Sequence, residues 1–270
     1  MDLLIDIHTH LDHPLLINNI EEIINRAKIA GLNHIITNGI NPETNRKCLE
    51  LSKKYVIVKC AMGLYPRSAL KKEIESNYPL KSADFDVDEE INFIRKNKNS
   101  IVAVSEVGLD FVNGEDIQQI EDFEKMIKLA EELKKPIVIH SRKAEQKCIE
   151  ILESFELKNI IMHWFCGKKS LVKRVADNGW FLTVPTIVVR SQQIQELVKN
   201  VPISQLFCET DSPYLSPYKG VEREHAESHA GQWNEPSFII ESYNKIAEIK
   251  NMDITEVINN IYMNWQRVFE

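Results

Sequence analysis

The sequence predicts a single (β/α)8 barrel of the TIM type, with parallel strands, over residues 1–270 and C-terminal helices closing the fold. Three observations lead there. Short β-branched runs alternate with amphipathic stretches from one end of the chain to the other, eight of these runs can be counted, and no low-complexity linker divides them. The turn after the first run, "HTHLDHP", contains no glycine, whereas an open doubly wound sheet normally carries a Gly-rich turn there. A chain of 270 residues, 43% hydrophobic, has enough apolar surface for one large core.

The predicted strands are LLIDIH (3–8), NHIITNG (33–39), VIVKCAMG (56–63), IVAVSEVG (101–108), PIVIHS (136–141), NIIMHW (159–164), GWFLTVP (179–185) and QLFCETD (205–211). Between them, Ile20, Ile23, Ile24, Ala27 and Ala30 recur at helical spacing, as do Phe123, Met126, Ile127, Ala130 and Leu133, so each set marks a core-facing helix. Gly31, Lys134-Lys135 before Pro136, and Asn178-Gly179 stand where helices should stop. At the end of the chain Ile254, Val257, Ile258, Ile261 and Trp265 share one helical face that should close the barrel. Two connections, 64–86 and 212–233, are longer than usual and should rise on the face where barrel active sites form.

The net charge of −7 gives no global attraction for nucleic acid or an anionic membrane, so any phosphate recognition must be local. No apolar run approaches the roughly 18 residues of a membrane span. Cys48, Cys60, Cys148, Cys166 and Cys208 form no CxxC pair and are odd in number, and no signal-type apolar segment precedes the first strand, so a soluble, cytoplasmic protein with reduced thiols is expected.

At the carboxyl ends of the strands the chain places His8 and His10, Glu106, His140, His163 and Asp211. Alternate residues of a strand face one side, so the HxH pair can aim both rings at one point. Charged or imidazole groups ending apolar strands each need a partner to offset desolvation, and convergence at one barrel mouth satisfies all six together. Six N/O ligands exceed one tetrahedral ion and suit two divalent ions. Glu106, lying across the barrel, is the expected bridge, with His8, His10 and Asp211 on one ion and His140 and His163 on the other. Histidine-rich ligation favours Zn2+ or Mn2+ over Mg2+. Asp211 is the expected general base for the attacking water.

The order HTH, SEVGLD, VIHSR, HWFCG, ETDSPYL and NEP, with the closing NWQRVF, resembles the TatD family of metal-dependent deoxyribonucleases among the amidohydrolase-like barrels, over essentially the whole chain. The resemblance implies a divalent pair at His8, His10, Glu106, His140, His163 and Asp211, and hydrolysis of DNA phosphodiesters, often from an end. Where the family usually shows a GxHPH-like stretch facing the substrate, this chain has GLYPRSA, putting Tyr65 and Arg67 there. HWFCG replaces the common HxFSG and introduces Trp164 and Cys166.

Arg67, Arg142, Lys143, Lys168, Lys169 and Arg190 follow strands and should form a local basic rim. Tyr65, Trp164 and Phe165 are placed to stack unpaired bases. Tyr65, Arg67, Arg142 and Trp164 are therefore the expected substrate contacts of an exodeoxyribonuclease-like enzyme acting on single-stranded DNA or on ends. The alternatives are an amidohydrolase-type enzyme cleaving a small ester, lactone or amide, and a catalytically silent metal-binding protein. His225 and His229, in a charged stretch after the last strand, are read as an exposed loop.

Overall fold

The computed structural model describes residues 3–75, 80, 84–218 and 233–270. Eight parallel strands follow one another in sheet order: β1 (Leu4–Thr9), β2 (Leu32–Asn38), β3 (Val58–Met62), β4 (Ile101–Gly108), β5 (Ile137–His140), β6 (Ile160–Met162), β7 (Phe181–Pro185) and β8 (Leu206–Glu209). Each predicted run became one of them. Helices fill the connections: α1 (Pro14–Ile17) and α2 (Ile20–Ile29) after β1, α3 (Pro42–Lys54) after β2, α4 (Arg67–Glu75) and α5 (Val87–Lys96) after β3, and α6 (Ile117–Leu133) after β4. Then come α7 (Glu145–Leu152), α8 (Lys169–Asp177) and α9 (Gln192–Asn200) after β5, β6 and β7, and α10 (Ile240–Lys250) with α11 (Ile254–Phe269) after β8.

The strands read as near-continuous apolar runs because a parallel sheet wrapped by helices is buried on both faces; β1, β5, β7 and β8 are buried at every position. The helices contribute the faces their periodicity marks, such as Ile23, Ile24 and Ala27 of α2 and Phe123, Met126, Ile127 and Ala130 of α6. Their ends follow local chemistry. Asn41 caps α3 in a reciprocal capping box with Thr44, and α6 stops where Lys134 turns left-handed.

Closure of the barrel is what positions the site. β8 reaches β1 through the N–H of Asp211 on the His8 carbonyl (2.8 Å) and the N–H of His10 on the Ser212 carbonyl (2.8 Å). Beneath them Asp6 accepts from the Thr210 N–H (2.9 Å) and hydroxyl (2.6 Å) and from the His8 N–H (3.2 Å). The seam is thus stitched at the residues expected to carry chemistry. On the outside α11 buries Val257, Ile261, Trp265 and Val268, and Asn264 donates to the carbonyls of Ile203 and Leu206, which fixes this helix to the start of β8. Among the described residues no helix is long and apolar enough to cross a membrane, and all five cysteines are free thiols.

Candidate metal centre

His8 and His10 project from one side of β1, as the two-residue repeat of a strand requires. Nε2 of His8 lies 3.4 Å from Glu106 Oε2 and 3.8 Å from Asp211 Oδ1; Nε2 of His10 lies 3.6 Å and 3.4 Å from the same two atoms. The His10 ring is turned by its other nitrogen, which meets the Asn38 carbonyl at 3.1 Å. A carbonyl only accepts, so Nδ1 carries a proton, and in the neutral ring the lone pair falls on Nε2. Asp211 stands just past β8 with φ 53°, a left-handed conformation that a short polar side chain tolerates better than most.

Glu106 of β4 faces both halves of the mouth. Its Oε2 meets the β1 histidines, while Oε1 lies 2.9 Å from His140 Nδ1 and 3.9 Å from His163 Nε2. Gly108 sets the approach of the neighbouring strand: at φ 146°, a Cβ there would fall 1.9 Å from the His140 carbonyl oxygen, so only glycine lets β5 bring His140 alongside Glu106. Ligand atoms of His8, His10 and Asp211 lie within 4.8 Å of one another, and so do those of Glu106, His140 and His163. The six residues singled out from the sequence therefore meet, and they divide into the two expected groups around one carboxylate.

Two further carboxylates were not anticipated as parts of the site. Glu209 is buried and holds His163 Nδ1 at 2.7 Å, while its other oxygen accepts from the Thr183 hydroxyl (2.6 Å) and the Trp164 N–H (3.2 Å). Asp110 contacts His140 Nε2 at 3.1 Å, with Tyr65 and Arg142 on the same oxygen. Both acids stand inside motifs already quoted, SEVGLD and CETD, and the desolvation argument used for the six applied to them equally. A third group, His8 with His163 and Glu209, also has ligand atoms within 4.8 Å; the 2.7 Å bond commits Glu209 to His163.

The electrostatics follow from burying this much charge. Burial opposes ionisation of Glu106, yet His140, bonded to it at 2.9 Å, and the nearby His8 hold it well below the usual carboxylate range. Asp211 is lowered likewise: burial works against it, and His10, His163 and His8 outweigh burial. Burial opposes charge on His10 and His163 too, but Asp211 and Glu106 raise His10 to about 9, and Glu209, with Asp211 and Glu106, raises His163 to about 10. Asp110 falls to about 2, because His140 and Arg142 outweigh desolvation. His8 differs. Desolvation and the neighbouring His163 lower it, so it stays neutral, and its Nδ1 has no hydrogen-bond partner.

These features fit a divalent pair. A fully buried neutral imidazole whose Nε2 points at two carboxylates without making a hydrogen bond is a costly arrangement unless a cation takes the lone pair. The carboxylates also raise the neighbouring histidines, so the pocket calls for positive charge that a metal would supply while displacing protons.

The expected substrate contacts separate. Tyr65 and Arg142 join the centre through Asp110, but Tyr65 is 7% exposed and its hydroxyl lies 3.3 Å from His140 Nε2, so it sits beneath the mouth rather than presenting a stacking face. Phe165 is buried core at 1% exposure, which rules out the stacking expected of it. Trp164 is half-buried and held at φ 35°, an unusual conformation for a bulky residue, with its N–H fixed by Thr183 and Glu209. Arg67 begins α4 and pairs with Asp122 of α6 at 2.8 Å. Arg190 donates to the Ser216 carbonyl. Lys143, Lys147 and Lys168 line an open groove of about 510 Å3 together with Glu115, Glu145 and Glu150, and Lys147 lies 3.9 Å from Glu115, so the groove carries both signs of charge. The NEP motif proves structural. Asn234 donates to Thr186 and to the carbonyls of Thr210 and Tyr214, and Glu235 takes a forked pair of bonds from Arg26. His225 and His229 lie outside the described residues.

A parallel eight-stranded barrel with four imidazoles and two carboxylates at its carboxyl mouth defines a class of metal-binding barrel proteins. The model of the TatD related DNase family matches residues 5–270, and the chain belongs to that family. An uncharacterized metal-dependent hydrolase of Methanocaldococcus jannaschii is 32% identical over 98% of this chain and 96% of its own length. Deoxyribonuclease TATDN3 of Homo sapiens is 29% identical over 98% of this chain and 94% of its own. The crystal structure of a TatD homologue from Escherichia coli superposes with a TM-score of 0.84 at 23% identity, covering 100% of this chain and 99% of the other, which bears on the fold alone.

Proposed function

We propose that this chain, as one hydrolase domain over residues 1–270, is a divalent-metal-dependent DNA phosphodiesterase, exodeoxyribonuclease-like, working in a reducing cytoplasmic compartment. The observation that carries the reading is Glu106, whose two oxygens face two separate ligand groups, the bridging arrangement a binuclear centre needs. His8, His10 and Asp211 would hold one ion and His140 and His163 the other. Bound there, Zn2+, Mn2+ or Mg2+ would act as Lewis acids toward a phosphoryl oxygen and acidify water.

The protein's own groups account for the rest. Asp211 is kept ionised at neutral pH by the surrounding histidines and is placed to accept the proton of the attacking water at a carboxylate oxygen. Glu209 and the Asn38 carbonyl hold the rings of His163 and His10 so that their Nε2 atoms point inward. DNA as the substrate is supported by the family and by the TATDN3 relative. Arg67 and Arg142, each paired with an aspartate yet about a third exposed, and Lys143 and Lys168 are the candidates for strand contacts.

The test loads metal-free protein with Zn2+, Mn2+ or Mg2+ and assays end-labelled single- and double-stranded DNA beside a panel of esters and lactones. Metal-restored trimming of DNA is expected, weakening as salt rises. Hydrolysis of a small ester with no DNA cleavage under any metal would replace the nuclease reading with an amidohydrolase-type one.

A further inference from the structure

We infer that Asn45 is a positioning residue for the metal centre, one that fixes the backbone on which Glu106 stands; the inference rests on the metal-dependent reading above. Asn45 lies in the first turn of α3 and is fully buried. Its amide makes three bonds. Oδ1 accepts the Gly63 N–H at 3.1 Å, and Nδ2 donates to the Gly63 carbonyl at 3.0 Å and to Glu90 Oε1 at 2.9 Å. Only one orientation of the amide satisfies them, because the reverse would set its NH2 against an N–H and its oxygen against a carbonyl and a carboxylate. Arg46, the next residue, holds both oxygens of buried Glu90 at 2.7 Å and 2.6 Å and lies 3.8 Å over the Phe93 ring, so the acid supplied by α5 is itself fixed.

Gly63, just past β3, passes this constraint to the centre. A Cβ there would fall 2.4 Å from the Ser105 carbonyl carbon and 2.6 Å from the Glu106 nitrogen, so the end of β3 rests directly on the backbone that carries Glu106. Gly39, just past β2, holds the same backbone from another side: its carbonyl accepts the Glu106 N–H at 3.0 Å. Asn45 also fits against Gly39, where a Cβ would stand 2.0 Å from its Oδ1. One side chain therefore sets the spacing of two glycines that both abut Glu106. The carboxylate of Glu106 must face two ligand groups at once, so a shift of its backbone reaches both. A structural role for Asn45 would cost stability alone. A positioning role also loosens Glu106 and weakens both ions together.

The experiment compares the parent with Asn45→Ala and Asn45→Ser, and uses Trp265→Ala as a variant destabilised far from the site. Amide hydrogen exchange on metal-free protein, well below the melting range, should quicken at Glu106 by about tenfold in both Asn45 variants, the scale of one lost buried bond, with β6 and β8 close to parental. In Trp265→Ala Glu106 should exchange no faster relative to those strands than in the parent. Zn2+ titration against a chromophoric chelator should show both equivalents weakened in parallel by roughly 10-fold or more in the Asn45 variants and neither in Trp265→Ala. Parental exchange at Glu106, weakening of one equivalent alone, or Zn2+ affinities no lower than those of Trp265→Ala overturn the proposal. If the Ala variant does not fold, the Ser variant decides by the same two measurements. A parent that binds no Zn2+ would sink the metal-dependent reading, and exchange at Glu106 would still decide whether Asn45 holds that backbone.

Discussion

At the amino-terminal end of the barrel, Trp265 of α11 stacks on His34 at 4.5 Å and on Phe269 at 4.5 Å, and Phe269 packs in turn against Phe207, whose ring meets Phe181 at 5.1 Å. At the carboxyl end, buried His8, His10, Glu106, His140, His163, Glu209 and Asp211 crowd together, with Asp211 and Trp164 in left-handed backbone. One end satisfies burial by apolar contact. The other does so by pairing charges at the expense of local strain, which natural folds concentrate where chemistry happens. Substitutions at the two ends should therefore separate activity from stability.

The largest effect is expected at the group both halves share. Glu106→Gln should reduce turnover by roughly 10³-fold or more and lower the occupancy of both ions, since it removes the central charge of the site. Metal content and turnover on the purified variant check this; loss of one ion with the other fully bound would remove Glu106 as the bridge. Next, Asp211→Asn should cost roughly 10² or more in rate, the scale of a positioned acid-base group. Asparagine also tolerates φ 53°, so its thermal melt should stay near the parent's. Near-native turnover would end the assignment of Asp211 as base.

At the opposite end the effects should invert. Trp265→Ala removes a side chain only 2% exposed and should destabilise by about 3–5 kcal/mol, leaving turnover per folded molecule unchanged below the melting range. A matching loss of specific activity would show that the ends are coupled. The smallest effect concerns His34, which burial, then Lys59, lowers to about 4. Because the folded ring binds its proton less readily than the unfolded one, its contribution is complete above about 6.5 and declines as pH falls toward 4. His34 is only partly buried, so the effect is screened. Melting temperatures of the parent and His34→Gln should differ in pH dependence by no more than about 4 °C across that window; identical profiles would contradict it.

The barrel was legible because its strands are apolar on both faces and its helices amphipathic, and those periods differ. The six candidate ligands were legible for a related reason: a polar residue ending an apolar strand is conspicuous. Asp110 and Glu209 were hidden one step behind, since the sequence does not say which of two nearby acids faces the centre and which supports a ring. The partner of Arg67, Asp122, lies 55 residues away on α6, a pairing that only the folded chain reveals. Loop position suggests stacking aromatics at Phe165 and Tyr65, but the turn after β6 folds Phe165 inward and the Tyr65 hydroxyl is held by Asp110.

The proposed function has one carboxylate, Glu106, shared by two ions at the carboxyl mouth. Anomalous diffraction at the metal edge from crystals of Zn2+-loaded protein tests it most directly. Two peaks are predicted, one among His8, His10 and Asp211 and the other at His140 and His163, with the Glu106 carboxylate between them. A single peak, or two peaks of which either lies away from Glu106, would contradict the account.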